Sequence, residues 1–311
     1  MDRFDSMSVL IAAVDAGSLS AAARRLGTPL TTVSRKVSDL EAHLGTRLLN
    51  RSSRTLTLTD AGRDYVAACR RIVEEVGEAE RAASGEFTAP RGHLVLSAPI
   101  VFGRLHVLPI VTAFLDAYPE IDVRLALADR AVNLIEEHVD GALRIGALAD
   151  SSMTATKVGE IRRVVCGSPA YFKAHGWPQQ PADLANHRCI TFEGLQSPAA
   201  WLFPTKKGLQ PVPIHSRLAV NTAEAAVDAA IAGVGLTRVF SYQVAAARAA
   251  KKIELVLEAF EPPPSPVHLV HAGGGLLPLK LRAFLDFAAP RLRTVLTRVT
   301  TLFPPSSSGE S

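Results

Sequence analysis

The chain is poor in cysteine. Three in 311 residues (Cys69, Cys166 and Cys189) are odd in number and widely spaced. That excludes a disulfide scaffold and fits a reducing compartment. A redox pair between Cys166 and Cys189 is the alternative to two buried thiols. The cysteines have no zinc-site spacing and the nine histidines contain no His-x-x-x-His pair, so no metal site is expected. No apolar run of spanning length stands out, and the start, with Asp2, Arg3 and Asp5, lacks an apolar run of signal length. The expectation is no membrane partner and a cytoplasmic location. Catalytic motifs are missing as well. Gly233-Val234-Gly235 lacks the Lys-Ser/Thr of a phosphate loop and reads as a helix-ending turn, and no Gly-x-Ser-x-Gly elbow occurs. No cofactor and no catalytic residue is expected. Nor is one charge sign in large excess: 34 Lys and Arg against 30 Asp and Glu give +4, so only local clustering could point to a polyanion.

Such clustering exists near the N-terminus. Between Arg24 and Arg54 stand seven basic residues (Arg24, Arg25, Arg35, Lys36, Arg47, Arg51, Arg54) against two acidic ones (Asp39, Glu41). The same stretch predicts a helix-turn-helix. Ser18 can cap a short helix and Gly27 can end it in the left-handed conformation. Thr28 is then expected to cap a second helix with Pro29 at its first position. Val33, Val37, Leu40 and Leu44 recur at helical spacing and define its buried face. The opposite face carries Thr31, Thr32, Arg35 and Lys36, and the N-terminal side chains Thr31, Thr32, Ser34 and Arg35 would meet base edges in a major groove. Leu48–Asn50 and Thr55–Leu58 read as a hairpin wing with Arg51 and Arg54 suited to phosphate. The plainer alternative is a small helical bundle with solvated charges.

The residues that carry a resemblance are Gly17-Ser18-Leu19-Ser20-x-Ala22-Ala23-x-x-Leu26, then Val33-Ser34-Arg35-x-Val37-x-x-Leu40-Glu41-x-x-Leu44-Gly45-x-x-Leu48-Leu49-x-Arg51, then Leu58-Thr59-x-Ala61-Gly62. This series resembles the LysR-type transcriptional regulators over about the first 65 residues. The resemblance implies binding to double-stranded DNA, no enzymatic activity, and contact with RNA polymerase.

Before the wing, Phe4, Met7, Leu10, Ile11 and Val14 mark a first helix. After it, Tyr65, Cys69, Ile72, Val76, Ala79 and Ala83 repeat at alternating spacings of four and three, a heptad seam on a long helix. Such a seam suits pairing with a second copy, giving a dimer or tetramer; the alternative is packing on its own domain. The resemblance agrees with pairing. Ser84 to Gly92 reads as a hinge.

From His93 strands alternate with helices, which implies parallel sheet with crossover helices. Strands are expected at 94–97, 121–127, 141–145, 164–166, 189–192, 218–220, 236–239, 253–257 and 267–270. Helices are expected at 105–118, 131–137, 169–174, 182–185, 222–232 and 279–292. Two small lobes joined by two crossings make a periplasmic-binding-protein-like α/β domain, whose ligand sits in the cleft at the C-terminal ends of the strands. Asp140–Gly146, Gly167–Tyr171, Pro181–Ile190 and Ala232–Leu236 resemble effector-domain segments of the same family more loosely. The expected layout is α/β overall. A winged helix-turn-helix spans 1–58 and a linker helix with hinge 59–89. An effector domain spans 90–295, with lobe I at 90–163 and 268–295 and lobe II at 164–267. A disordered tail, rich in Pro and Ser from Pro304, is expected over 296–311. Pocket candidates are Ser97, Pro99, Arg144, Gly146, Phe203, Asn221 and Thr222. A helix N-terminus near an arginine would suit a small anionic effector. Against this, Arg144 could serve a structural salt bridge and Phe203 could be core. Gly273-Gly274-Gly275 departs from the family pattern. An enzyme built on the second domain and a nucleoid-type DNA protein are the other function classes. Turnover by the second domain would favour the former, and the two-lobed domain argues against the latter.

Overall fold

A computed structural model describes residues 2–51, 56–83, 89–130, 132–148, 153–192, 200–273 and 277–303. The chain divides into two compact units, Met1–Ala89 and Pro90–Ser311.

The first unit contains α1 (Arg3–Asp15), α2 (Leu19–Leu26), α3 (Leu30–Leu44), a hairpin of β1 (Leu49–Arg51) and β2 (Leu56–Leu58), and α4 (Asp60–Ala83). Asp2 caps α1 and Ser18 caps α2, each through a side-chain oxygen that accepts backbone N–H bonds. Gly27 and Gly45 end α2 and α3 at φ 61° and 64°, a region that costs an L-residue about 1 kcal/mol or more. Thr28 does not cap α3. Its N–H bonds to the Ala23 carbonyl and closes α2, while Pro29, extended at ψ 141°, takes the cap position without a side-chain bond. Leu10, Ala13, Ala22, Val33, Val37, Leu40, Leu48 and Leu49 form one core.

The second unit holds two five-stranded sheets. Lobe I begins with β3 (Gly92–Ala98). A helical stretch follows, made of α5 (Ile100–Phe102), one π turn (Gly103–Val107) and α6 (Leu108–Ala117). Then come β4 (Ile121–Leu127), β5 (Gly141–Ile145) and β6 (Met153–Ile161). Lobe II contains β7 (Arg163–Gly167), α7 (Pro169–His175), a 3-10 turn (Pro181–Asn186), β8 (Arg188–Phe192), β9 (Ala200–Thr205), β10 (Gly208–Pro213), β11 (His215–Val220), α8 (Ala223–Ile231), β12 (Leu236–Phe240), α9 (Ser241–Ala249) and β13 (Glu254–Val256). β14 (Ser265–Ala272) and α10 (Leu279–Leu302) return to lobe I. The strand orders are β4-β3-β5-β14-β6 and β11-β8-β12-β7-β13.

The sheets are mixed, not purely parallel. β14 runs antiparallel to β5 and β6, and β7 antiparallel to β12 and β13. The topology explains this. Each crossing delivers the chain at the C-terminal ends of the receiving lobe's parallel strands, so the arriving strand must run against them. Those ends of β3 and β5 in lobe I and of β8, β11 and β12 in lobe II therefore turn toward the other lobe.

Several expectations are corrected. Residues 132–140 form turns, not a helix. The Asn133 side chain accepts from Ile135 N–H at 3.1 Å, and His138 sits at φ 55°, which a helix cannot accommodate. The helix expected from 105 starts at Ile100. That stretch, Ile100–Ala117, is long and apolar enough to cross a membrane by composition, contrary to the expectation that no such run exists. Within it Phe102 and Phe114 are fully buried and Arg104 pairs with Glu224, while Leu105 and Leu108 are exposed. Strands β6, β9 and β10 and helix α9 are additional. Pro204, Pro211 and Pro213 argue against strands, yet among the described residues β9 and β10 pair only with each other, where unsatisfied ladder positions are tolerated. The helix expected to stop at 292 continues through Pro290 to Leu302, burying Leu296, Val299 and Phe303. Residues 296–303 are thus not a tail; Pro304–Ser311, Gly274 and Gly275 lie outside the described residues.

Cys166 and Cys189 do not form a disulfide: both are free and buried. They flank β12, opposite Thr237 and Leu236, which point to opposite faces of the sheet. Burial pushes both thiols up to about 12, so neither is a ready nucleophile.

Candidate functional site

In the first unit α3 buries Val33, Val37 and Leu40 completely. That fixes its rotation. Thr31 and Arg35 are exposed and Thr32 and Ser34 half-buried. Lys36 lies closer to the core and forms an ion pair with Asp5 of α1. The wing is bolted to α3 by Glu41, whose Oε1 accepts the N–H groups of Leu48 at 2.8 Å and Leu49 at 3.0 Å. At the wing's base the Thr59 hydroxyl donates to the Arg47 carbonyl at 2.8 Å and accepts from Gly62 N–H at 2.9 Å. A Cβ on Gly62 would lie 2.0 Å from the Leu48 carbonyl oxygen, so α4 can approach the wing only with glycine there. Arg51 ends β1 opposite Leu56; Arg54 lies outside the described residues. The arrangement presents a polar helix face and a short hairpin, the parts needed to read a groove and touch the flanking phosphates.

The heptad seam on α4 divides. Cys69 is buried against its own unit, and Arg70 pairs with Asp15 of α1. Ile72 is 41% exposed and Val76 half-buried. The first part of the seam is used internally, while Ile72 presents apolar surface outward.

In the second unit the seven pocket candidates separate into groups. Ser97 and Arg144 share one face of the lobe I sheet, because Ser97 pairs with Ala142 and residues two apart face the same way. Arg144 donates to the Val132 carbonyl, and its Nε is buried without a partner among the described residues. Its ion-pair alternative is not formed there: Glu137, the nearby acid, pairs with Arg130. Burial lowers the Arg144 pKa and Glu137 opposes this. Gly146 follows β5 at φ 112°, its N–H bonded to the Pro266 carbonyl at 2.8 Å.

Pro99 and Thr222 belong to a second group. Pro99 precedes α5, and Thr222 caps α8 by accepting from Ala225 N–H at 3.2 Å; Asn221 beside it is exposed. The two helix starts are linked across the lobes by the Arg104–Glu224 ion pair. Phe102, His106 and Tyr242 form an edge-on trio across the same junction, with centroids 4.9 to 5.8 Å apart. Asp129 caps this corner, accepting from Ile100 N–H at 3.0 Å. Burial raises its pKa and Glu224 adds to the rise, while the Ile100 bond opposes both. Phe203 is core: it is 2% exposed and lies under the Arg238 guanidinium, 4.7 Å from the ring centroid.

Sequence reasoning missed Asp129, Arg104, Arg162, Arg163 and Arg238. A charged residue inside an apolar strand, as in Leu236-Thr237-Arg238-Val239-Phe240, was the available signal. A mainly apolar pocket in lobe I is lined by Leu96, Val107, Leu143, Phe284 and Leu292, and Ser97 is the pocket candidate that reaches it.

Residues 4–63 match the family model of the bacterial regulatory helix-turn-helix protein, lysR family, and residues 88–293 match that of the LysR substrate binding domain. The chain is 35% identical over 288 residues to an HTH-type transcriptional regulator of Xanthomonas campestris pv. campestris, covering 91% of this chain and 84% of the relative. It is 34% identical over 289 residues to an HTH-type transcriptional repressor of Pseudomonas aeruginosa, covering 92% and 91%. The solved structure of CrgA, a LysR-type transcriptional regulator from Neisseria meningitidis, superposes with a TM-score of 0.59 at 31% identity, covering 93% of this chain and 98% of that one.

Proposed function

We propose a mechanism from the premise that this chain belongs to the LysR-type family, as a non-enzymatic DNA-binding transcriptional regulator with an effector-binding domain. In this reading Thr31, Thr32, Ser34 and Arg35 read base edges, Lys36 supports them, and Arg51 and Arg54 hold phosphate. The seam through Ile72 and Val76 pairs two copies, so that a two-fold protein meets a two-fold operator; two dimers can assemble to a tetramer. The protein works in the cytoplasm, where DNA and RNA polymerase are its macromolecular partners.

The effector is a small anion held between the lobes. Ser97, Pro99, Arg144 and Gly146 line it from lobe I, and Asn221 and Thr222 from lobe II. Phe203 supports the site from beneath. The observation that carries this is topological: both lobes turn the C-terminal ends of their parallel strands toward each other, where sheets of this kind bind ligands. Lobe rearrangement then alters the spacing of the DNA-binding pairs, by no more than the ligand's differential affinity for the two arrangements. The experiment is a titration of promoter DNA with the protein in the presence of candidate metabolites. A small anion is expected to shift operator affinity without being turned over. Turnover by the isolated second unit would instead support an enzyme.

A further inference from the structure

The apolar stripe of α3 runs past the core at both ends. Leu30, Val33, Val37, Leu40 and Leu44 follow one another at spacings of three and four. Val33, Val37 and Leu40 are fully buried, whereas Leu30 is 46% and Leu44 36% exposed. Leu30 is the first residue of the helix. Thr32 and Val33 N–H groups donate to the Pro29 carbonyl at 3.0 and 3.2 Å, which fixes the helix start at that point. A lone exposed leucine needs no function. This one is set apart by where it stands.

The end of α3 that carries Leu30 is the end suited to meet DNA. From Ala16 to Ser38 the chain has no Asp or Glu, and Arg24, Arg25, Arg35 and Lys36 fall within that run. Arg24, Arg25, Thr31 and Arg35 are exposed. A recognition helix places its N-terminal residues against base edges. Leu44 lies about 20 Å further along the helix axis, outside that reach. Leu26 is 41% exposed but ends α2, the helix that crosses the DNA backbone in this motif.

Chemistry narrows what Leu30 can read. Its side chain has no hydrogen-bond donor or acceptor. Phosphates offer charge, and the base-edge groups of the major groove offer donors and acceptors, with one apolar exception, the thymine C5 methyl. Contact between that methyl and a leucine removes two apolar surfaces from water. Thr31, Thr32, Ser34 and Arg35 carry donors that suit the polar groups instead.

We propose that Leu30 is a specificity-determining residue that recognises a thymine methyl group in each half-site of the operator. The proposal rests on the DNA-binding reading above and adds to it one base and the residue that selects it.

The test uses the full-length protein and duplexes that the wild type selects from random DNA. In a selected duplex each thymine is replaced in turn by deoxyuridine, which lacks the C5 methyl and keeps the pairing hydrogen bonds. Affinity is read by fluorescence anisotropy. In the wild type one position per half-site should lose affinity, by about fourfold for each methyl-sized contact removed. Leu30→Ser should bind the thymine and deoxyuridine duplexes alike at that position. It should still unfold like the wild type and prefer the selected duplex to a scrambled one. Leu26→Ser should keep the full penalty. Selected duplexes without a fixed thymine, no deoxyuridine penalty in the wild type, or a penalty undiminished in Leu30→Ser would overturn the proposal. So would a penalty that vanishes in Thr31→Ser alone, which would move the contact to Thr31. A failure of the regulator reading shows separately, as a selection that yields no common sequence.

Discussion

Arg162 grips Glu261 with both arms of the pair. Nε lies 2.7 Å from Oε2 and Nη2 lies 2.7 Å from Oε1. The same guanidinium reaches Glu258 at 2.8 Å and the Phe303 carbonyl at 3.2 Å. Arg162 is the first crossing between lobes, and Glu258 and Glu261 belong to the second. Phe303 follows the last helix. One buried side chain therefore ties both crossings to the end of α10, at the place where any change in lobe angle must be absorbed. Glu261→Gln keeps the shape and removes the charge. Leaving a buried arginine short of a partner costs about 3 kcal/mol. Denaturant unfolding of the full chain should show a loss of that order, and a loss below about 0.5 kcal/mol would mean the clamp carries no stability.

The outward part of the α4 seam makes a second prediction. Ile72→Glu places a charge where a second copy is proposed to cover apolar surface. Sedimentation should show a smaller species than the wild type, with thermal unfolding like the wild type's. Wild-type mass would show that this face is not the interface.

His106 gives the stability of the second unit a pH dependence. Its imidazole lies among Phe102 and Tyr242 with Nε2 buried and unpartnered among the described residues. Burial pushes its pKa below the ordinary 6.5. The unfolded chain then binds a proton more readily than the folded one, so stability is fully present above 6.5 and is lost as pH falls through that value toward the lowered one. His187 and His268 are shifted the same way. Denaturation midpoints between about pH 7.5 and 5.5 should fall with acidity. His106→Phe, which keeps the ring contacts, should flatten that slope. An unchanged slope would place the sensitivity in the other two histidines.

The first unit was more legible than the second, and the reason is locality. Ser18, Gly27 and Gly45 act within a turn of their own position, so capping rules placed α2 and the end of α3. Thr28 misled because one residue can serve either neighbouring helix, and here it closes the one behind it. Gly62 needed the fold to explain it, since its neighbour is Leu48 on the wing. In the second unit helix–strand alternation gave most elements and both lobes. It could not give strand direction, which is set by where a crossing delivers the chain. Arg144 stood out as an arginine near the end of a strand, yet its side chain turns to the Val132 carbonyl. Arg162, Arg163 and Arg238 were less visible because their partners are distant in sequence, as the Arg162–Phe303 bond across 141 positions shows.

The central claim is that α3 reads DNA sequence and that Arg35 is part of the reading. Fluorescence anisotropy with the chain's own promoter fragment and a scrambled fragment, over a salt series, tests it directly for wild type and Arg35→Ala. The wild type should prefer the promoter fragment at every salt concentration. Arg35→Ala should lose about 1–3 kcal/mol of that preference while binding the scrambled fragment nearly as before. Equal wild-type affinity for both fragments, or an Arg35→Ala variant that discriminates as well as the wild type, would contradict it.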